Sequence, residues 1–281
     1  MLQFEGGILV NGNIRGNRTR IKADRIKIFE NINLTGSFHS TTGFAYPEWY
    51  GIFPYNNTLD IVDGLEKLDD VFFDISIGPG DYFTKKGEYS VKGIAGTSMA
   101  TSRIIMETEK SNTFLFFMGK IGGTLKDRSY TYNYIKDLTL FITSKTGANK
   151  LRGNKGIIIG AVHKPYIENV KVQQSESYQR FTQTDLEQFV KNGNKLNDAN
   201  IGIDFNGDSE LTHLRNVFTL ADVGIVFSKY TDIVYADEYI NVCGLYGIAN
   251  IYIYQTTRSS KVSKPTLQSS ELEPRFVWLL L

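Results

Sequence analysis

GIDFNGDSELTHLRNVFTLADVGI, residues 202–225, is the stretch whose reading decides the fold. It opens on Gly202-Ile203, carries Leu214-Arg215-Asn216-Val217, and closes on a second Gly-Ile pair at Gly224-Ile225. The pattern extends on both sides. Gly-Ile also stands at Gly156-Ile157 and Gly247-Ile248, so the glycines are spaced 46, 22 and 23 residues apart. The apolar-Xaa-Asn-Val unit recurs as Ile167-Glu168-Asn169-Val170, shortens to Ile240-Asn241-Val242, and has a weaker cousin in Ile135-Lys136-Asp137-Leu138. A repeat of about 22–25 residues, each holding two or three short strands, marks a stack of coils. No single coil buries its apolar face, but neighbours together make a continuous core. Leucine-rich repeats share the period, yet here β-branched Ile and Val outweigh Leu. The repeated Asn is read as corner chemistry, because Asn tolerates turn backbone angles and stacked Asn side chains form hydrogen-bonded ladders.

The first spacing is double because polar residues 173–200 interrupt the period. They include TDLEQFVKNGNK, a predicted helix with Thr184 as its cap. Such excursions lie on the outside and often carry binding function. Upstream, GGILVNGNIRGNRTRIKA reads as two short strands broken at Asn11-Gly12 and Gly16-Asn17. Ile26, Ile28, Ile32 and Leu34, two or four apart, are expected to line one buried sheet face. NTLDIVDGLEKLDD, residues 57–70, predicts an amphipathic helix capped by Thr58 or Asn57. Trp49 is expected to cover the first coil.

Composition narrows the function classes. The chain has 281 residues, with 31 Lys plus Arg against 30 Asp plus Glu, a net charge of +1. That leaves no broad field to hold nucleic acid or an anionic membrane. A hydrophobic content of 41% argues against wholesale disorder. The 26 Gly against 6 Pro fit a chain of many tight turns. One Cys and three His speak against a structural zinc site and a disulfide framework, and no motif implies a cofactor. Cys243, in an apolar run, is read as a buried small hydrophobe. The start, MLQFEGGILV, lacks the form of a signal peptide. No apolar run approaches the roughly 18 residues of a membrane span, so no membrane insertion is expected.

Several segments occur in a telling order: the glycine-rich lead-in, AYPEWYG at Ala45–Gly51, the amphipathic helix, ISIGPGDYF, and KGIAGTSMATSRIIME. The ordered set resembles the pectate-lyase-like superfamily of right-handed parallel β-helices, and in particular phage tailspike depolymerases and their gut-bacterial relatives. It covers roughly residues 4–254. The resemblance implies an all-β fold, a right-handed parallel β-helix with a short N-terminal capping helix. Residues 1–45 would form lead-in strands, 46–260 the β-helix with its insertion at 173–200, and 261–281 a C-terminal tail that reads as a cut end. It implies a tailspike or tail-fibre-like protein of the virion tail, a homotrimer that recognises and degrades bacterial surface polysaccharide. The acidic run usual after the tryptophan motif is replaced here by IFPYNNTLDIVDGL. That departure keeps two alternatives open. One is a non-catalytic structural or adhesive β-helix. The other is a bacterial polysaccharide lyase or glycoside hydrolase, secreted or at the cell surface.

Hydrolysis of a glycan needs two carboxylates flanking the bond, about 5–5.5 Å apart for retention or about 6.5–9.5 Å for inversion. Elimination needs a base and a charge-neutralising group. Asp204, Glu210 and Asp232 are the catalytic candidates. Asp204 stands where the following coils are expected to carry Val226 and Ala249. For substrate binding the candidates are Glu176, Tyr178 and Arg180 on the excursion, beside Phe181, and Tyr230 on the adjoining coil. Tyr235 and Tyr239 would extend that wall by stacking on sugar faces. His213 reads as a packed or surface histidine. No metal site is expected.

Overall fold

The computed structural model describes residues 1–130, 132–144, 153–174, 200–227 and 231–253, with side chains described as far as Thr231 apart from Asp222. The chain is mostly β, and among the described residues every ladder between strands is parallel.

The first sheet holds β1 (Leu2–Gln3), β2 (Leu9–Lys22) and β3 (Phe29–Ser40) in that order. The two short strands expected around Asn11-Gly12 and Gly16-Asn17 are one strand, β2. Asn11 and Arg18 take left-handed angles, φ 55° and 52°. They bend β2 without reversing it, and the chain continues to a parallel partner instead of a hairpin. Ile28, Ile32 and Leu34 are buried as expected, but Ile26 is 37% exposed.

A 3-10 turn (Pro47–Tyr50) and helix α1 (Ile61–Asp69) close one end. The helix starts later than the sequence suggested, because Asp60 is the cap and accepts from Val62 N at 3.0 Å. Asn56 Oδ1 instead takes the Thr58 amide and hydroxyl within its own turn. Ile61, Val62, Leu65 and Leu68 form the buried stripe. Trp49 is fully buried, donates its Nε1 hydrogen to Asp24 O at 3.0 Å, and packs against Phe29, Tyr46 and Phe72. It thereby fastens the first sheet to the second. Beside it, buried Glu48 Oε1 accepts from Arg25 Nη1 at 3.1 Å and Tyr82 Oη at 2.6 Å.

The main sheet contains β4 (Asp74–Ser76), β5 (Gly80–Thr84), β6 (Tyr89–Ser90), β7 (Gly93–Ala95), β8 (Ser102–Glu107), β9 (Phe114–Met118), β10 (Tyr134–Thr143), β11 (Lys155–Ile159), β12 (Tyr166–Gln174), β13 (Ile201–Phe205), β14 (Ser209–Phe227) and β15 (Thr231–Ile253). Register divides these strands into three sets. In the first, Ile75, Ile94, Ile135, Ile167, Leu214 and Ala236 are successive partners. In the second the series runs Tyr82, Ile104, Leu140, Val172, Thr219, Val242. In the third it runs Phe116, Ile157, Ile203, Ile225, Ile251. Up to β14 each column is buried. Each large apolar side chain so covered contributes about 1.5–3 kcal/mol. β14 is long enough to serve all three sets, so the sheet curls into one hydrogen-bonded path.

The Asn corner is where the first set turns into the second. Asp137, Asn169 and Asn216 have φ 55°, 51° and 47°. Asn216 Nδ2 donates to Asn169 Oδ1 at 2.9 Å, and Asn169 Nδ2 donates to Asp137 Oδ1 at 2.7 Å. The fourth unit falls out of step. Ile240 pairs with Val217 rather than Leu214, and Ile225 pairs with Ile251 rather than Ile248. β15 carries extra residues opposite the Ala221–Val223 stretch, where the register shifts. The excursion's predicted helix lies outside the described residues.

Candidate functional site

In the first strand set Ile135, Ile167 and Leu214 point into the core. Side chains alternate across a strand, so the residues on either side face outward. Those outward positions form two rows. The first is Tyr134, Tyr166 and His213, with Tyr235 opposite His213 in β15. Tyr166 and His213 have ring centroids 5.9 Å apart. Tyr132, just before β10 and 50% exposed, lies 6.2 Å from Tyr134 and stacks on Tyr166 at 6.2 Å and 29°. Phe73 continues the row beyond Tyr134.

The second row alternates in charge: Lys136, Glu168, Arg215. Glu168 pairs with Lys136 at 3.8 Å and with Arg215 at 3.1 Å. The Lys136 ammonium lies 5.3 Å from the Tyr134 ring centre and 5.1 Å from that of Tyr166. Burial, and secondarily Glu168, raises the hydroxyls of Tyr132 and Tyr166 above the ordinary phenol range. Burial and the hydrogen bond to Asp74 do the same for Tyr134. These phenols are therefore neutral at physiological pH, with uncharged faces and hydroxyls able to donate.

Three residues upstream on each rung sits a second group. His163 and Glu210 form a parallel bridge, and the Lys164 amide donates to Glu210 O at 2.8 Å. Glu210 Oε2 receives a hydrogen bond from Arg128 Nη1 and lies 3.2 Å from His163 Nδ1. Arg128 is steadied by Nε donating to Asp208 O at 3.1 Å, while Asp208 Oδ2 accepts from the Leu125 amide at 2.9 Å. A Thr124–Asp127 capping box shapes the same segment. Tyr130, 76% exposed, sets its ring 5.4 Å from that of His163.

The carboxylates read from the sequence are thus placed differently from one another. Glu210 stands in this cluster, and Asp232 is its register partner on the adjacent strand. Asp204 is fully buried on β13, ion-paired with Lys155 and near Asn206 Nδ2 at 3.4 Å. Its register partners are Ile158 and Val226, and Val226 in turn pairs with Tyr252, so the extra residues of β15 put Tyr252 where Ala249 was expected. Glu176, Tyr178, Arg180 and Tyr230 lie outside the described residues, as does Phe181.

Sequence reasoning passed over Tyr132, Tyr134, Tyr166, Arg128 and His163. A signal for the row existed. Tyr134-Ile135-Lys136-Asp137, Tyr166-Ile167-Glu168-Asn169 and His213-Leu214-Arg215-Asn216 share an aromatic-ring residue, an apolar residue, a charge and an Asx. Among the described residues no group of three His, Cys, Asp or Glu could hold a metal ion, and no helix is long and apolar enough to cross a membrane. Comparison with protein-family models, curated proteins and solved structures found no match.

Proposed function

We propose that the three strand sets are the faces of a right-handed parallel β-helix capped by α1, and that the chain is a phage tailspike or tail-fibre-like protein recognising bacterial surface polysaccharide. The in-register row Tyr134, Tyr166, His213, with Tyr132 stacked into it, carries this reading. Exposed Tyr132, with the partly buried rings of Tyr166 and His213 on neighbouring strands about 4.8 Å apart, suits a glycan laid across the strands, while Tyr134 is buried beneath them as their support. Aromatic faces pack on pyranose rings, while the Lys136–Glu168–Arg215 row supplies hydrogen bonds to hydroxyls. Three coincident registers and the Asx ladder support the β-helix. A homotrimer in the virion tail follows from the same reading. Glu176, Tyr178, Arg180 and Tyr230 would wall the groove from the excursion and the next coil.

Degradation would use Glu210 and Asp232, whose backbones are about 4.8 Å apart as neighbours in a ladder. That spacing accommodates a retaining pair at about 5–5.5 Å. Asp204, buried against Lys155, is better suited to bracing β13 than to touching a glycan. The ion pair of Glu210 with Arg128 favours a second reading, a non-catalytic adhesin, because that carboxylate is already engaged.

The test is binding to a panel of purified capsular and exopolysaccharides, with reducing ends and unsaturated-uronate absorbance followed in parallel. Binding that falls at least about tenfold in Tyr166→Ala is expected, a loss of roughly 1.4 kcal/mol. Binding unaffected by Tyr166→Ala and Tyr132→Ala would remove the row from recognition. Binding without product would leave the adhesin.

A further inference from the structure

We propose that the free edge of β2 is a docking site for an extended, acidic segment of another protein, which adds to the first sheet as a further strand. This surface shares no residue with the glycan face described above.

A strand inside a sheet has a neighbour on each side, and β2 does not. Along one edge β3 pairs with it from Leu9 to Ile21. Along the other, β1 reaches only Ile21 and Lys22. Among the described residues no strand lies beside Leu9–Arg20 on that side. Every second residue there directs its main-chain N–H and C=O away from β3, so the stretch presents a row of unpaired donors and acceptors. A strand of this length spans about 40 Å, which is long for a bare edge. Solvent reaches it: Ile8, Leu9 and Val10 are 44%, 38% and 52% exposed.

Charge decides what fits. Ile14 packs on the core and Ile21 is buried in it, so Arg15, Arg20 and Lys22 point the other way. Arg18 joins them at a bulge, where Asn17 and Arg18 together stand opposite Ser37 and the Arg18 amide donates to Ser37 Oγ at 2.7 Å. These four side chains are exposed, and none is ion-paired among the described residues. The neighbouring Arg25 and Lys27 differ, being held by Glu48 and Glu30. The sheet supplies no acid from within, because the register partners of Arg15, Arg20 and Lys22 are Thr35, His39 and Gln3.

Such a row keeps copies of the chain from pairing edge to edge, since a second β2 would bring its own cations against these. A second copy is therefore not the occupant. A strand with carboxylates on alternate residues meets the opposite condition. Its main chain pairs with the open edge, and its acids recur about every 6.6 Å, the repeat of Arg20 and Lys22 along β2. Opposite charges on neighbouring strands then attract. The exposed Ile8–Val10 end suits apolar residues at the matching end of the segment.

The probe is a peptide of about ten residues, long enough to cover most of the edge, that alternates threonine with glutamate. It is followed by fluorescence anisotropy against the full chain. Binding is expected at about 0.01 M salt, where charges act over about 30 Å, and should weaken severalfold at about 0.1 M, where they act over about 10 Å. The same peptide with lysine for glutamate should not bind. Methylating the amides of one alternate set should abolish binding, and methylating the other set should leave it, because only one edge of an added strand faces β2. Arg15→Glu combined with Arg20→Glu should weaken the glutamate peptide at least about tenfold and admit the lysine peptide, with circular dichroism unchanged. Equal binding of the two methylated peptides would show a cationic patch without strand addition and overturn the proposal. So would the absence of binding at about 1 mM peptide in low salt, or capture of heparin by a surface that ignores the glutamate peptide.

Discussion

Replacing Asp69 by Asn should stabilise the protein at neutral pH and leave it unchanged in acid. Asp69 ends α1 and faces β6. Its Oδ2 accepts from Tyr89 Oη, Lys92 Nζ donates to its main-chain oxygen at 2.6 Å, and its buried Oδ1 has no hydrogen-bond partner. Burial pushes the carboxyl up from 3.8 to about 6; the Tyr89 hydrogen bond and Lys92 pull it back, and Asp70 and Glu66 push it further up. The gap between those values corresponds to roughly 3 kcal/mol. Its sign is unfavourable for the charged form. The folded chain holds this proton more tightly than the unfolded chain, so stability falls as pH rises from about 4 to about 6 and stays lower above that. Asn keeps an oxygen for Tyr89 and carries no charge to desolvate. It leaves the second atom unpaired, which costs part of the gain. Urea unfolding at about pH 8 should show Asp69→Asn more stable by about 1–3 kcal/mol, with the difference vanishing below about pH 4. A variant less stable at pH 8, or a difference independent of pH, would refute the reasoning.

Three further outcomes follow from close contacts. Gly96→Ala would put a Cβ 2.2 Å from Asp137 O, a main-chain atom that cannot swing away; a loss of about 3 kcal/mol in urea unfolding is expected. Asn169→Gly keeps the left-handed corner but loses both ladder hydrogen bonds, so about 1–2 kcal/mol should be lost, and Asn169→Ala should lose about 1 kcal/mol more. Glu48→Ala removes the acceptor shared by Arg25 and Tyr82, leaving Arg25 its bonds to Ser76 and Tyr82 its bond from the Gly78 amide, and should cost about 1–3 kcal/mol, read as a lowered midpoint in thermal and urea unfolding, with Glu48→Gln recovering part.

The parallel stacking was legible because β-branched residues recur at matching positions. Ile135, Ile167 and Leu214 were aligned from the sequence and are partners in the sheet. The corner asparagines were legible for the same reason. The last unit was not, since extra residues in β15 shift register without leaving a mark in composition. Asn11-Gly12 misled because a left-handed residue bends a strand as readily as it reverses one. The cap went to Asp60 rather than Asn57 or Thr58 because Asn56 had already claimed Thr58. At the site, Glu210 and Asp232 could be paired from the period. Arg128 and His163 could not, because their meeting with Glu210 depends on two loops crossing at one rung, and loop geometry carries no periodicity.

The Asx ladder also sets a rule for how such a chain can lengthen. Its hydrogen bonds run one way: each asparagine amide donates to the residue before it, and the series ends on Asp137, which has no amide to pass on. Beneath it the neighbouring position is Gly96, whose amide bonds Lys136 O and which has no side chain. A duplicated rung bearing Asn could be spliced in anywhere above Asp137, taking one bond and giving one. Below Asp137 the same duplication would meet a carboxylate with nothing to donate and a glycine with no room. Growth by tandem duplication is thus open toward the C-terminal rungs and closed toward the cap.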